Sequence, residues 1–167
     1  MPGAGKSTLG KLVADKLDIK FIDTDDLISA KVGCSLQEYL TEHGYIALRE
    51  LEESVLLETD FGGAVVSTGG SAVYSANAMH RLAKLGPCIY LRATAESILQ
   101  RVSNYAERGI AADKSTTLEQ LYLERTPLYE KYAQLTFDTD GVKEATAGDL
   151  VSRIIKEVDL FGYDSTL

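Results

Sequence analysis

The chain has 167 residues, of which 45% are hydrophobic and 25% are charged, so we expect a single domain over residues 1–167 with a sizeable apolar core. Its formal net charge of -8 disfavours nucleic acid and anionic membrane surfaces as partners. No apolar run approaches the ~20 residues of a membrane-spanning helix. Two separated cysteines exclude a disulfide scaffold and a zinc site, and together these features predict a cytoplasmic protein.

Short apolar runs alternate along the chain with longer stretches of helical periodicity. The predicted strands are 19–23, 64–68, 88–91 and 135–138. None of them alternates cleanly between polar and apolar residues, which is typical of strands buried on both faces of a parallel sheet. Amphipathic helices are predicted around 9–17, 48–56, 118–132 and 150–158. This alternation predicts an α/β fold, a doubly wound parallel sheet with helices on both faces.

The strongest motif opens the chain, where the sequence MPGAGKST leads into the first predicted helix. It matches the phosphate loop G-x-x-x-x-G-K-[ST], except that the first glycine would lie one position before Met1. In such a loop successive backbone N–H groups turn around a phosphate, and the helix N-terminus adds partial positive charge. A glycine-rich cap before an ordinary helix is the weaker alternative. The residues predicted to bind ATP are Gly3, Ala4, Gly5, Lys6, Ser7 and Thr8.

The position of this motif is unusual, because a phosphate loop normally follows a central buried strand. Only Met1 precedes Pro2 here. We therefore expect the first strand to be absent, either because the start was assigned too late or because the protein manages without it. The strands over 64–68 and 88–91 would then be separated by about two strand spacings, or ~10 Å.

An acidic cluster, DTDD at residues 23–26, follows the strand predicted over 19–23. Ligands of open α/β sheets bind beyond the carboxyl ends of strands. One of these carboxylates can hold Mg²⁺ through water, and another can accept a proton from a substrate hydroxyl. The alternative is a helix N-cap formed by Thr24 or Asp25.

Two weaker motifs follow. Arg49 and Glu52 lie three positions apart on a predicted helix, so the carboxylate can orient the guanidinium as a clamp for a substrate carboxylate. A solvated ion pair is the more common outcome of this spacing. The sequence STGGS at 67–71 follows a strand, and its glycines would let a ligand approach the backbone, although a simple turn is equally compatible.

The order of these motifs, followed by ERTPLY at 124–129, resembles the shikimate kinase family from Met1 to about Val158. The resemblance implies an ATP-dependent phosphotransferase that converts shikimate to shikimate 3-phosphate in aromatic amino-acid biosynthesis. Lys6 and Ser7 would then handle the ATP phosphates and Mg²⁺, and Asp23 would reach the metal through water.

The resemblance also implies an acceptor site. Asp25 would accept hydrogen bonds from ring hydroxyls of shikimate and help to activate the attacking one. The substrate carboxylate would be held by Arg49, Arg125 and the backbone at Gly69 and Gly70.

A mobile lid is implied at about 103–116, with Arg101 leading into it near the adenine. Two positions depart from the family. Ser71 stands where a third glycine is usual, and ERGI at 107–110 replaces Arg-Pro-Leu, so that Arg108 is the candidate to reach the transferring phosphate. A solvated loop residue is the alternative reading of Arg108.

Two other functions remain open on the sequence. One is a related kinase of another polyol acid, such as gluconate. The other is a degenerate nucleotide-binding regulatory protein. In each case we expect a small-molecule ligand and a monomer rather than an obligate oligomer.

Overall fold

The computed structural model describes residues 1–102, 109–113, 115–142 and 146–160. Helices and strands alternate through these residues, as predicted. The helices are α1 Lys6–Leu17, α2 Thr24–Val32, α3 Leu36–Glu58, α4 Ala76–Leu85, α5 Ala95–Arg101, α6 Leu118–Tyr132 and α7 Ala147–Leu160, with a 3-10 turn over Ala72–Tyr74. The strands are β1 Lys20–Asp23, β2 Ala64–Ser67, β3 Ile89–Arg92 and β4 Leu135–Asp138. No helix in the described part of the chain has the length and apolarity to cross a membrane.

The four strands form two parallel pairs, which confirms the predicted α/β class. β1 runs beside β2, with Lys20 opposite Ala64. β3 runs beside β4, with Ile89 opposite Leu135. Each pair is linked through helices, because parallel neighbours need a long crossover connection.

The two pairs are separate two-stranded sheets, and no ladder hydrogen bonds join them within the described residues. This agrees with the expectation that a central strand is missing. Side chains hold the pairs together instead, since Val65 and Val66 of β2 pack against the same apolar core as Tyr90, Leu91 and Phe137. The apolar core therefore extends across both strand pairs, although no ladder hydrogen bonds join the pairs within the described residues.

Helix α1 begins directly after the glycine-rich loop. Gly5 caps it in the left-handed conformation, with φ of 89°, where a side chain would be strained. Leu9 and Val13 face the core as their spacing predicts, whereas Leu12 is 39% exposed. The first turn of α1 lies beside the carboxyl ends of β1 and β2, since Ser7 contacts Asp23 and Ser67 there.

Helix α3 is divided by a kink at Gly44, which has φ of 83° and ψ of 170°. The helix begins with a capping box, in which the Ser35 side chain accepts from the Glu38 backbone and the Glu38 side chain accepts from the Ser35 backbone. The kink turns the second half of α3 so that Leu48 and Glu52 are buried. That half carries the Arg49 motif.

Candidate active site

A cavity of about 620 Å³ lies at the carboxyl ends of β1 and β2, beside the N-terminus of α1. Residues from most of the predicted motifs line it. They are contributed by the glycine-rich loop, α2, α3, the STGGS segment, α5 and α6, and include Lys6, Asp25, Glu52, Gly70 and Arg125. The fold thus brings together groups as far apart in sequence as Lys6 and Arg125.

The glycine-rich loop has the backbone shape that its motif predicts. Gly3 has φ of 73°, and a Cβ placed there would lie 2.7 Å from the Val102 side chain. The Lys6 ammonium donates to the carbonyl of Met1 at 3.0 Å. Burial lowers the pKa of Lys6, and the neighbouring carboxylates of Asp25 and Asp23 oppose this shift. Lys6 also lines the large cavity.

Ser7 and Asp23 form a direct pair, in which the Ser7 hydroxyl donates to Asp23 Oδ2 at 2.7 Å. Asp23 Oδ1 accepts from the backbone N–H of Asp25 at 3.1 Å, so Asp23 itself is the N-cap of α2. The N-cap alternative therefore holds for the cluster, but at Asp23 rather than at Thr24 or Asp25. A hydroxyl beside a carboxylate at a phosphate loop is a donor set of hard oxygen atoms that suits Mg²⁺, which usually keeps several waters and takes its other ligands from phosphates.

Asp25 points into the cavity from the first turn of α2. Burial raises its pKa, and the neighbouring charge of Asp23 adds to this, while Lys6 opposes it. A partly desolvated carboxylate of this kind is a stronger proton acceptor than an exposed one. Its position is compatible with the predicted role at the acceptor hydroxyl.

The two arginines of the predicted clamp converge on one oxygen atom. Arg49 Nε donates to the carbonyl of Ala111 at 3.0 Å, and Arg125 Nη2 donates to the same carbonyl at 3.1 Å. The Tyr74 ring lies 3.7 Å from the Arg49 guanidinium and accepts from Arg125 Nε at its hydroxyl. The two guanidinium groups are thereby held in a fixed relative orientation.

The arginines do not have equivalent positions. Arg125 is 1% exposed and lines the large cavity, whereas Arg49 lines a neighbouring cavity of about 130 Å³. In place of the predicted pair with Glu52, Arg49 is oriented by Ala111 and Tyr74. The expectation that Glu52 orients Arg49 is therefore corrected.

Glu52 forms its hydrogen bond with Ser71 instead of Arg49. It is 3% exposed, lines the large cavity, and accepts a hydrogen bond at Oε2 from the Ser71 hydroxyl. Burial raises the pKa of Glu52 to about 7, although the Ser71 hydrogen bond lowers it. The sequence gives no local signal for this position, because the Arg-x-x-Glu spacing favours a pair between Glu52 and Arg49.

At Gly69 and Gly70, other side chains lie so close to the backbone that a Cβ atom would collide with them. A Cβ at Gly70 would lie 2.8 Å from Arg125 Nη1, and the Gly70 carbonyl accepts from the Tyr129 hydroxyl at 2.7 Å. The N–H of Gly69 donates to Thr24 Oγ1 at 3.1 Å. The STGGS segment is therefore packed against the cavity rather than forming a simple exposed turn.

Arg101, Gly109 and Ile110 also line the large cavity. Arg101 Nη2 donates to the carbonyl of Thr139 at 2.6 Å, and Nη1 donates to that of Gly3 at 3.4 Å. Within the predicted lid, the Gly109 N–H donates to Gln37 Oε1 at 2.7 Å, and Ala111 is buried. Arg108 and the rest of 103–108, together with residue 114, lie outside the described residues.

Comparison with known proteins points to one family. The family described as shikimate kinase matches residues 2–158. The shikimate kinase of Francisella tularensis subsp. novicida is 36% identical over 156 residues, which cover 91% of this chain and 87% of the relative. The solved shikimate kinase of Acinetobacter baumannii, in complex with shikimate, has a TM-score of 0.81 and 27% identity, covering 97% of this chain and 90% of that one. The Bacteroides thetaiotaomicron shikimate kinase structure has a TM-score of 0.77 and 29% identity over 95% of this chain and 94% of its own.

Proposed function

Because this chain belongs to the shikimate kinase family, we propose that it transfers the γ-phosphate of ATP to a ring hydroxyl of shikimate, giving shikimate 3-phosphate. One observation carries this proposal. A single cavity is lined by the phosphate loop with Lys6, by the Asp25 carboxylate and by the buried Arg125 guanidinium. These groups match, in order, a transferring phosphate, an attacking hydroxyl and a substrate carboxylate.

The donor end of the cavity is formed by the glycine-rich loop. The backbone N–H groups from Gly3 to Thr8 would surround the ATP phosphates, and Lys6 would neutralise charge on the transferring group. Arg101 would border the adenine. When bound, Mg²⁺ would supply positive charge between the phosphates, and we assign its protein ligands to Ser7 directly and Asp23 through water.

The acceptor end is formed by Asp25 and the arginines. Arg125 would bind the substrate carboxylate with help from Arg49, and the carboxylate would replace the Ala111 carbonyl that both guanidinium groups now contact. A side chain at Gly70 would displace Arg125, so this glycine lets the guanidinium lie against the backbone of the STGGS segment. Asp25 would orient the attacking hydroxyl and receive its proton.

Phosphoryl transfer requires mainly positioning and cation stabilisation, because its transition state carries dispersed negative charge. Lys6 supplies one cation at the described part of the site, and Arg108 is the proposed lid cation. Asp25 need not be a strong base, since a loose transition state requires little proton removal before attack. One copy of the chain contains every residue assigned here, so we propose that it acts as a monomer in the cytoplasm, where ATP is available.

An ADP-release assay tests this function. Purified protein with ATP and Mg²⁺ is given shikimate, gluconate or no acceptor. We expect rapid ADP release when shikimate is the acceptor, and not with gluconate or without an acceptor. Release with gluconate but not shikimate would identify a kinase of another polyol acid, and release with neither acceptor would favour a nucleotide-binding regulatory protein.

A further inference from the structure

Tyr74 belongs to none of the sequence motifs, yet it contacts both arginines of the acceptor end. It closes the 3-10 turn that follows the STGGS segment, and this turn contacts both α3 and α6. The centre of the Tyr74 ring lies 3.7 Å from the Arg49 guanidinium carbon, and the Tyr74 hydroxyl accepts from Arg125 Nε at 3.3 Å. One side chain therefore connects an arginine of α3 with an arginine of α6.

Glu124 fixes the direction of the Tyr74 hydroxyl. A phenol has one proton to donate, and Tyr74 donates it to Glu124 Oε1 at 2.5 Å. The lone pairs of the hydroxyl are then free to accept, as a guanidinium requires, because a guanidinium only donates. Burial raises the pKa of Tyr74, and the hydrogen bond to Glu124 adds to this, so the phenol keeps its proton at neutral pH. The hydroxyl is thereby held in the orientation that suits Arg125.

This arrangement orients the two arginines with a neutral group. Neither Arg49 nor Arg125 forms an ion pair with a carboxylate in the part of the chain that the structure describes. The charge of Glu52 acts on the same region, but its carboxylate is hydrogen-bonded to Ser71. A carboxylate partner would also orient a guanidinium, but it would offset the positive charge that attracts an anionic ligand. Tyr74 holds both guanidinium groups without adding a negative charge.

The ring and the hydroxyl of Tyr74 act on different arginines. Stacking on an aromatic face attracts the Arg49 cation and leaves its N–H donors free in the plane of the guanidinium. Since Tyr74 accepts from Nε of Arg125, that arginine donates through Nη2 to the carbonyl of Ala111. Arg49 donates to the same carbonyl, at the place proposed for the substrate carboxylate.

We propose that Tyr74 is a positioning residue for the acceptor carboxylate, with its ring orienting Arg49 and its hydroxyl orienting Arg125. The inference rests on the proposed function for the identity of the acceptor. It adds to that function a residue that touches neither substrate nor ATP and sets how tightly the carboxylate is held.

Calorimetric titration with shikimate, in the presence of a non-hydrolysable ATP analogue, tests the two parts of the side chain separately. Tyr74→Phe removes the hydroxyl and keeps the ring, so we expect it to weaken shikimate binding roughly 3- to 10-fold, as for one net hydrogen bond. Tyr74→Leu also removes the aromatic face and should weaken binding by a further factor of roughly 3 to 10. Affinity for the ATP analogue alone should not change in either variant.

The same two variants are then made in an Arg49→Ala background. Tyr74→Phe should still weaken shikimate binding by the same factor, because the hydroxyl acts through Arg125. Tyr74→Leu should weaken binding no more than Tyr74→Phe does, because the ring no longer has a cation to orient. A Tyr74 with a purely structural role would show the same difference between its two variants with and without Arg49.

Tyr122→Phe is the matched control for loss of a phenol hydroxyl. Tyr122 lies on α6, as Arg125 does, and its hydroxyl donates to the carbonyl of Ala93 at 3.1 Å. We expect this variant to have a lower melting temperature and an unchanged affinity for shikimate.

Unchanged shikimate affinity in both Tyr74 variants would overturn the positioning role, and an equal step from phenylalanine to leucine in both backgrounds would overturn the action of the ring through Arg49. The titrations require no phosphoryl transfer, so they are decided separately from the ADP-release assay. If shikimate binds with the expected pattern but no ADP is released, the proposed function fails while the role of Tyr74 stands. If ADP is released and the Tyr74 variants bind like the wild type, the proposed function stands and this inference fails. Absence of shikimate binding to the wild-type chain would overturn both.

Discussion

At the level of single residues, Lys6 belongs to the glycine-rich loop and lines the large cavity. We predict that Lys6→Met lowers ADP release by roughly 10²-fold or more, since it removes a charge that stabilises the transition state. Turnover at saturating ATP and shikimate is the measurement. Lys84→Met, an exposed position on α4, is the matched control and should retain full activity. Equal turnover in both variants would contradict the assignment of Lys6.

Arg125 is the second residue whose removal has a specific expected effect. We predict that Arg125→Ala raises the KM for shikimate at least roughly 30-fold with little change in the KM for ATP, because loss of one partner from a desolvated ion pair costs about 2–5 kcal/mol. Arg125→Lys, which keeps the charge but not the fork of donors, should show a smaller shift in the same direction. Arg49→Ala should also raise the shikimate KM, and the exposed Arg153→Ala should not. A rise confined to the ATP KM would assign the arginines to the other ligand.

Glu52 gives a pH-dependent prediction for stability. Burial raises its pKa from 4.5 to about 7, so the folded chain binds this proton more tightly than the unfolded chain does. The stabilisation by that proton is therefore complete below about pH 4.5 and is lost as the pH rises toward 7. We predict that Glu52→Gln increases the free energy of unfolding above pH 7 by up to about 3 kcal/mol, with no gain near pH 4. Urea unfolding at pH 4 and pH 8 measures this, with exposed Glu130→Gln as the control, and an equal difference at both pH values would contradict it.

The residues of the site were predictable where a local motif fixes their chemistry. The glycine-rich loop and Asp23 lie where their spacing and strand-end position predict. Ala111 and the partner of Glu52 were not predictable, because each depends on a contact across 14 or more positions that leaves no local pattern. The Arg-x-x-Glu spacing even favoured the wrong partner for Glu52.

At the level of elements, the strands were predicted to within two residues at each end. Short runs of β-branched and apolar residues bounded by polar ones mark them clearly, but the expected burial on both faces is wrong, because most of the strand residues are only partly buried. The prediction of helices was less complete and lacked α2, α4 and α5, which are short and have at most two buried residues each. The first half of α3 was also missed, although its capping box at Ser35 and Glu38 was a readable signal.

The kink in α3 has its own testable consequence. Gly44 combines φ of 83° with ψ of 170°, a backbone region almost confined to glycine. We predict that Gly44→Ala destabilises the fold by about 1–3 kcal/mol, even though a Cβ there would meet no neighbour within 4 Å. Gly148→Ala on α7 is the matched control, since its Cβ is equally unobstructed and its φ is not positive, so it should be neutral or slightly stabilising. Equal unfolding free energies for the two variants would contradict the strain at Gly44.

At the level of the whole molecule, the two strand pairs are held by side-chain packing without a backbone ladder between them. This arrangement leaves strand edges that can each accept a further strand, and buried backbone groups without partners cost ~1–3 kcal/mol each. The phosphate loop is likewise not continuous with any strand of the described sheet. We therefore expect stability and catalysis to depend on the same region of the molecule.

A strand supplied at this place should improve both properties. We predict that fusing about ten apolar, β-branched residues ending in glycine ahead of Pro2 raises the melting temperature and the rate of ADP release, since the added strand can pair with β2 and β3 and anchor the phosphate loop. A fusion of equal length made of glycine and serine is the control, because it adds chain without strand propensity. Thermal melting and turnover of the two fusions are measured beside the 167-residue chain. If the apolar fusion matches the control in both measurements, the region between β2 and β3 does not accept a strand, and the side-chain core alone accounts for the stability of the sheet.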